Sequence, residues 1–320
     1  MSAYATPHPF PVDGIPREGK NFPDLTAVLQ QLDPHTCAIG EHSDLFRAKR
    51  SDNEKPQHVL AVKVFRAGSN GNATFNANFQ KKLILLGDTL GRLKHDNIAR
   101  LYGVTYGFGR LPGVVMDFYD NSVVSYMAKC PVENDDKLKW VKQIASALKY
   151  LHRQSPPIVH GDIRGANIFI DSTSKKCLLA DTSMALVTDT PEFTSMKSPA
   201  TCRWAAPELM DFRQPHVEGS PDPAPSTQTD VFSFAMTAIE IFSGSPPFKQ
   251  KKNDSSVIFL ILNGERPELP EFVQARPYLS KVIEGCWRKD PKSRMTMSSV
   301  CWKLGLTSYL SYALERVGLF

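Results

Sequence analysis

His160-Gly161-Asp162-Ile163-Arg164-Gly165-Ala166-Asn167, followed fourteen residues after the Asn by Asp181, decides how the rest of the chain is read. The run and Asp181 together offer two carboxylates and an amide, oxygen-bearing groups that could hold a nucleotide and its metal ions. Working outward, Trp140, Ile144, Ala147, Leu148 and Leu151 recur at helical spacing and predict a helix leading into the loop. After it, Ile168-Phe169-Ile170 and Cys177-Leu178-Leu179-Ala180 read as short strands around a turn at Asp171-Ser172-Thr173-Ser174. Asp181 ends the second strand and is followed by Thr182-Ser183.

Farther downstream the chain is mostly helical. Asp230 to Phe242 is its most apolar helix and is expected to be buried centrally. Tyr278 to Trp287 and Met297 to Leu314 are further helices, and residues 210–229, with four prolines, read as a surface insertion. Upstream, residues 36–66 alternate like strands with a turn at Ser51-Asp52-Asn53-Glu54, and His58 to Phe65 is the clearest strand. Gly68 to Asn78 reads as a flexible connection, Phe79 to Leu93 as a helix, and Ile98 to Tyr106 and Val114 to Phe118 as two more strands. Residues 1–22 read as a tail. Leu25, Val28, Leu29 and Leu32 share one helical face, which predicts a short helix.

Composition is that of an ordinary globular chain, 42% hydrophobic and 22% charged, and a formal charge of +5 requires no nucleic-acid platform. The six cysteines form no CxxC pair, which argues against structural zinc. No segment reads as a signal peptide or a membrane span, so a cytoplasmic protein with reduced thiols is expected. Asn72-Ala73-Thr74 fits a glycosylation acceptor only by chance in that compartment.

The loop resembles the protein-kinase catalytic loop H-R-D-x-x-x-x-N, and Asp181 resembles the first residue of D-F-G. Thr201-Cys202-Arg203-Trp204-Ala205-Ala206-Pro207-Glu208 and Asp230-Val231-Phe232-Ser233-Phe234 are similar to runs of the tyrosine-kinase-like group, and more narrowly to divergent kinase sequences of mushroom-forming fungi. The resemblance covers roughly residues 35–310. It implies an α+β, bilobal protein-kinase-like fold: a tail and short helix over 1–34, a β-rich N-lobe over 35–118, a helical C-lobe over 119–310 and an extension over 311–320.

It further implies ATP with Mg2+ as cofactors. Lys63 would neutralise the α/β-phosphates, Asp162 would accept a substrate hydroxyl's proton, and Arg164 would steady the transferring phosphate. Asn167 and Asp181 would hold metal. Gly40, Leu45, Ala61, Met116 and Phe169 would surround the nucleotide, together with hinge residues Asp117, Phe118 and Tyr119. Asp230 would anchor the loop backbone, and Glu208 would pair with Arg294.

Several positions depart from the family pattern. Counting back from His95 puts Leu86 where the family has the glutamate that pairs with the lysine. A helix shifted by one turn would leave Asp88 or Asp181 as the lysine's anion, and a solvent-facing lysine on an edge strand is the lesser alternative. Only Gly40 remains of the glycine loop, beside Glu41 and Asp44, so a tight turn that does not embrace phosphate competes with a phosphate cradle. Gly161 replaces the arginine that would receive a phosphate on Ser195, Ser198 or Thr201. Thr182 replaces the aromatic of an apolar stack, and Ser183 replaces the glycine that lets the motif flip.

Two functions remain open: an ATP-binding pseudokinase with a regulatory or scaffolding role, and an active kinase using Lys63, Asp162, Asn167 and Asp181. Both require those four side chains to converge. A protein substrate or partner is expected, without nucleic acid or membrane insertion. The sequence leaves the oligomeric state open.

Overall fold

A computed structural model describes residues 10–40, 43–51, 58–66, 72–188, 199–211 and 224–305 of the chain. They divide into two compact units: a β-rich one within Met1–Lys94, Ala99–Tyr119 and Met184–Ser198, and a mainly helical one within His95–Ile98, Asp120–Ser183 and Pro199–Phe320.

The first unit is built on a six-stranded sheet. Its strands are β1 (Leu29–Gln31), β2 (Ala38–Ile39), β3 (Ser43–Arg50), β4 (Leu60–Phe65), β5 (Leu101–Thr105) and β6 (Gly113–Asp117). They lie in the order β1-β3-β4-β6-β5, with β2 also on β3, and every pairing is antiparallel. In such pairs directly opposed residues share a face. One face therefore carries Ala48, Leu60, Val62, Val64 and Val115, which pack with Leu25 into an apolar cluster. The other carries Leu45, Ala61, Lys63, Val114 and Met116.

Helix α1 (Ala73–Leu90) starts six residues before the expected Phe79 and stops before Leu93. Asn72 explains the early start: its side chain accepts the Phe75 N–H, and the added turn buries Phe75 and Asn76. This replaces part of the expected Gly68–Asn78 connection, of which residues 68–71 lie outside the described set, as do 52–57 at the expected turn.

The helix expected around Leu25–Leu32 is instead a single 3₁₀ turn, Thr26–Val28, followed by β1. Two turns of isolated helix are marginal, whereas the β3 edge and β5 offer backbone partners. Leu25 N donates to Val104 O, Val104 N donates to Pro23 O, and Leu29–Gln31 pairs with Ala48–Arg50. Nor are residues 10–22 a loose tail, since Phe10 and Phe22 are buried.

In the second unit, α2 (Val123–Lys129) and α3 (Asn134–His152) precede the loop quoted above. Asp135 and Asp136 begin α3 and Lys149 and His152 end it, complementing the helix dipole. A three-stranded sheet joins β7 (Asn121–Ser122), β8 (Ile168–Ile170) and β9 (Cys177–Leu179). A short helix, α4 (Met184–Thr188), belongs to the first unit.

The central helix α5 (Thr227–Ser243) starts three residues before the expected Asp230. A reciprocal Ser226–Thr229 capping box opens it, and Gly244 ends it in the left-handed region at φ +65°. Apart from Ser233, every residue from Thr229 to Phe242 is buried, as its apolar sequence requires. Helices α6 (Asp254–Leu262), α7 (Glu271–Gln274) and α8 (Pro277–Cys286) follow, and α9 covers 297–305. Residues 212–223 of the expected insertion and 306–320 lie outside the described set. Among the described residues, no helix is long and apolar enough to cross a membrane.

Candidate functional site

The loop 160–167 hangs from one stripe of α5. Asp230 Oδ2 accepts the His160 N–H at 2.8 Å and Oδ1 accepts the Gly161 N–H at 2.9 Å. His152 of α3 lies 2.8 Å from the same Oδ2. Thr237 Oγ1 donates to Ile163 O at 3.0 Å, and Glu240 Oε2 accepts the Gly165 N–H at 2.8 Å and Trp204 Nε1–H at 3.0 Å. Asp230 is the expected anchor. No motif in the sequence singles out Thr237 or Glu240. Their signal is periodicity, because positions 230, 237 and 240 fall within about 80° of one another on a helix otherwise apolar there.

Burial is the main effect on Glu240 and raises its carboxyl pKa from 4.5 to about 7, while the Gly165 and Trp204 bonds and the Arg164 charge pull the other way.

Within the loop, His160 is fully buried and locked at both ring nitrogens. Nδ1 accepts the Asp162 N–H and Nε2 donates to Ala180 O, which fixes the tautomer. Asn167 Nδ2 donates to Asp162 O at 2.9 Å and to Asp162 Oδ2 at 2.7 Å. Both bonds use the Asn167 amide nitrogen, which leaves the amide oxygen as the atom of this side chain that could take a cation. Arg164 Nε lies 3.0 Å from Asp162 Oδ1, so both side chains hold the Asp162 carboxylate. Gly161 sits at φ +84°, a region that disfavours residues with a Cβ. Its loss of the family arginine therefore comes with a relaxed backbone.

Asp181 is tied to this loop through its neighbour, since the Ala180 N–H donates to Asn167 O at 2.9 Å. Asp181 and Ser183 both occupy the left-handed region, at φ +61° and +58°. Ser183 tolerates the conformation that glycine would take more easily because its N–H donates to His160 O and its hydroxyl donates to Val159 O. Thr182 is 5% exposed, and its Oγ1 is buried without a hydrogen-bond partner among the described residues. Phe169, on β8, is half-buried opposite Leu178, on the face away from buried Ile168 and Ile170.

In the first unit, the register brings Leu45, Ala61, Lys63 and Met116 onto one face. The Asp117 side chain belongs to the opposite face, where it meets His58 Nε2 and Tyr102 OH at 2.8 Å each and Tyr119 OH at 3.4 Å. Only its backbone, like that of Phe118 and Tyr119, is then available for the expected hinge role. The Phe118 N–H already donates to Val59 O.

Leu86 is half-buried, and Asp88 is the one acidic residue of α1. Asp88 Oδ1 accepts Asn21 N at 2.5 Å and Asn21 Nδ2 at 3.3 Å, which turns that carboxylate toward the N-terminal segment. The Gly40 N–H donates to Ser43 O at 2.7 Å, closing the tight hairpin. Glu41 lies outside the described residues, as do Ser195 and Ser198.

The Glu208–Arg294 pair forms as expected. It is bidentate at 2.6 and 2.7 Å, with the arginine side chain fully buried.

A family model described as protein tyrosine and serine/threonine kinase matches residues 35–304. The chain is 25% identical over 260 residues to a light-sensor protein kinase of Ceratodon purpureus, covering 73% of this chain and 19% of that protein. It is 23% identical over 288 residues to the serine/threonine-protein kinase STY17 of Arabidopsis thaliana, covering 89% of this chain and 46% of that protein. Over 200 residues it is 26% identical to the human receptor-interacting serine/threonine-protein kinase 4, covering 60% of this chain and 23% of that one. The chain thus spans less than half the length of these relatives.

Proposed function

The chain belongs to the protein tyrosine and serine/threonine kinase family, and we propose that it is a divergent, tyrosine-kinase-like member that binds ATP with a divalent metal, transfers phosphoryl weakly or not at all, and acts in regulation or scaffolding. The observation that carries this proposal is the commitment of Asp88, the sole carboxylate of α1, to Asn21. The Gly40 amide, engaged within its own hairpin, supports it by removing a donor that a phosphate cradle would use.

The metal-binding part of the proposal draws on donor chemistry. The Asn167 amide oxygen and the Asp181 carboxylate are hard oxygen ligands of the kind magnesium takes. Bound magnesium supplies positive charge that screens crowded phosphate oxygens. Within the first unit, Lys63 would neutralise phosphate charge beside Leu45, Ala61 and Met116, which share its face of the sheet. The backbones of Asp117, Phe118 and Tyr119 would meet the edge of the base.

A second reading, an active kinase acting on a protein hydroxyl, is favoured by the Asp162 carboxylate. Arg164 and Asn167 hold it as a positioned base would be held. For either reading we propose a cytoplasmic setting and a protein as substrate or partner.

Thermal-shift titration with ATP, with and without Mg2+ or Mn2+, tests the first reading when paired with a γ-phosphate transfer assay. A metal-dependent shift with transfer at background supports it. Transfer abolished by Asp162→Asn would establish the active kinase instead, and no shift at millimolar nucleotide would leave a scaffold without nucleotide.

A further inference from the structure

Residues 10–25 lie along α1 and β5 of the first unit, and three glycines make room for them. A Cβ on Gly87, inside α1, would run into the Phe22 ring. One on Gly91, at the α1 C-cap, would meet the Asn21 carbonyl, and one on Gly103, inside β5, the Pro23 carbonyl. Glycine is a poor choice inside a helix or a strand. Finding it in both places opposite one segment ties those positions to that segment.

Polar groups of α1 are committed the same way. Gln80 is fully buried, yet its Oε1 accepts the Val12 N–H at 2.7 Å and its Nε2 donates to Pro16 O at 2.9 Å. A buried amide without such bonds would be strongly unfavourable. Asp88 takes both nitrogens of Asn21, and Tyr106 OH donates to Arg17 O at 2.7 Å.

We propose that residues 10–25 form a positioning strap that sets where α1 rests on the Lys63-bearing face of the sheet. The route is a file of aromatic rings. Phe10 packs edge-on against Phe79 of α1 at 6.3 Å, and Phe79 packs against Phe65 of β4 at 5.6 Å. Phe65 is two residues from Lys63 and so projects from the same face. With Asp88 turned toward Asn21, α1 is registered by the strap on its far side. No bound nucleotide is required, so the inference stands apart from the function proposed above.

The test turns on a sign. Alanine is a better helix former than glycine, so on propensity alone Gly87→Ala slows amide exchange in α1 and raises the thermal midpoint. If the strap seats α1, the new Cβ displaces Phe22, and amides of residues 79–90 exchange at least tenfold faster. Amides of α5, in the other unit, keep their rates. Hydrogen exchange on the full chain without nucleotide reads this directly.

Should Gly87→Ala fail to fold, Tyr106→Phe removes only the bond to Arg17 O and should speed exchange two- to fivefold over the strap and α1. Slower or unchanged exchange in α1 overturns the proposal. So does an acceleration shared equally by α5, which would report a general loss of stability.

Discussion

Replacing Glu240 with Gln should change how stability depends on pH, with a sign fixed by burial. The Glu240 carboxyl is raised from 4.5 to about 7 because it is buried beneath the loop. A raised acid binds its proton more tightly in the folded state. Its favourable contribution is therefore complete below about pH 4.5 and is lost as pH rises through about 7. At about 1.4 kcal/mol per unit, a shift from 4.5 to about 7 corresponds to roughly 3 kcal/mol.

Glutamine cannot ionise, and its amide oxygen can still accept the Gly165 N–H and Trp204 Nε1–H now held by Oε2. Wild type should therefore lose roughly 3 kcal/mol relative to Glu240→Gln between pH 4.5 and 8, a net figure that already includes the bonds the ionised carboxylate accepts. Urea unfolding of both proteins at pH 4.5, 6 and 8 measures the difference. Every other titrating group is common to the two and cancels. A difference that stays flat across that range would refute the burial of an ionisable carboxylate at this position.

Other substitutions probe the remaining features. Arg294→Ala strands Glu208 and removes bonds to the Gln228, Arg288 and Lys289 carbonyls, so it should cost about 3–5 kcal/mol in chemical unfolding. Arg294→Lys should recover little, because lysine lacks the bidentate fork. Thr182→Val deletes a buried hydroxyl without a partner at nearly constant volume and should raise stability by about 1 kcal/mol, read from the urea midpoint. Gly161→Arg restores the family residue at φ +84° and should destabilise by about 1–2 kcal/mol. A stable Gly161→Arg protein of unchanged midpoint would show that the loop relaxes freely.

Much of the site could be read from residue order. Asp162, Arg164 and Asn167 fall together because they occupy a single short loop, and the backbone beside Asp181 returns to that loop because β8 and β9 form a hairpin that lets the Ala180 N–H donate to Asn167 O. Leu45, Ala61, Lys63 and Met116 share a face because strand periodicity and antiparallel register require it. What the motifs do not contain is the support beneath: Thr237 and Glu240 are common residue types in an apolar helix, and only packing brings them under the loop.

The N-terminal segment is the clearest divergence. Pro, Gly and polar residues are the composition of a tail, and Leu25 to Leu32 has helical spacing. The β3 edge and the glycine-lined side of α1 instead drew the segment into the first unit.

Local periodicity and a loop motif thus determined strands β3 to β6, β8 and β9, helices α3, α5 and α8, and the kinase family of this chain, because each depends on residues close in sequence. Tertiary structure alone decided that Asn21 would claim Asp88 and that the Glu240 carboxyl would be buried under Gly165. The physical reason is that a polar group's chemistry is set by whichever partner folding brings within about 3 Å, and for Asn21–Asp88 and Gly165–Glu240 that partner lies dozens of residues away.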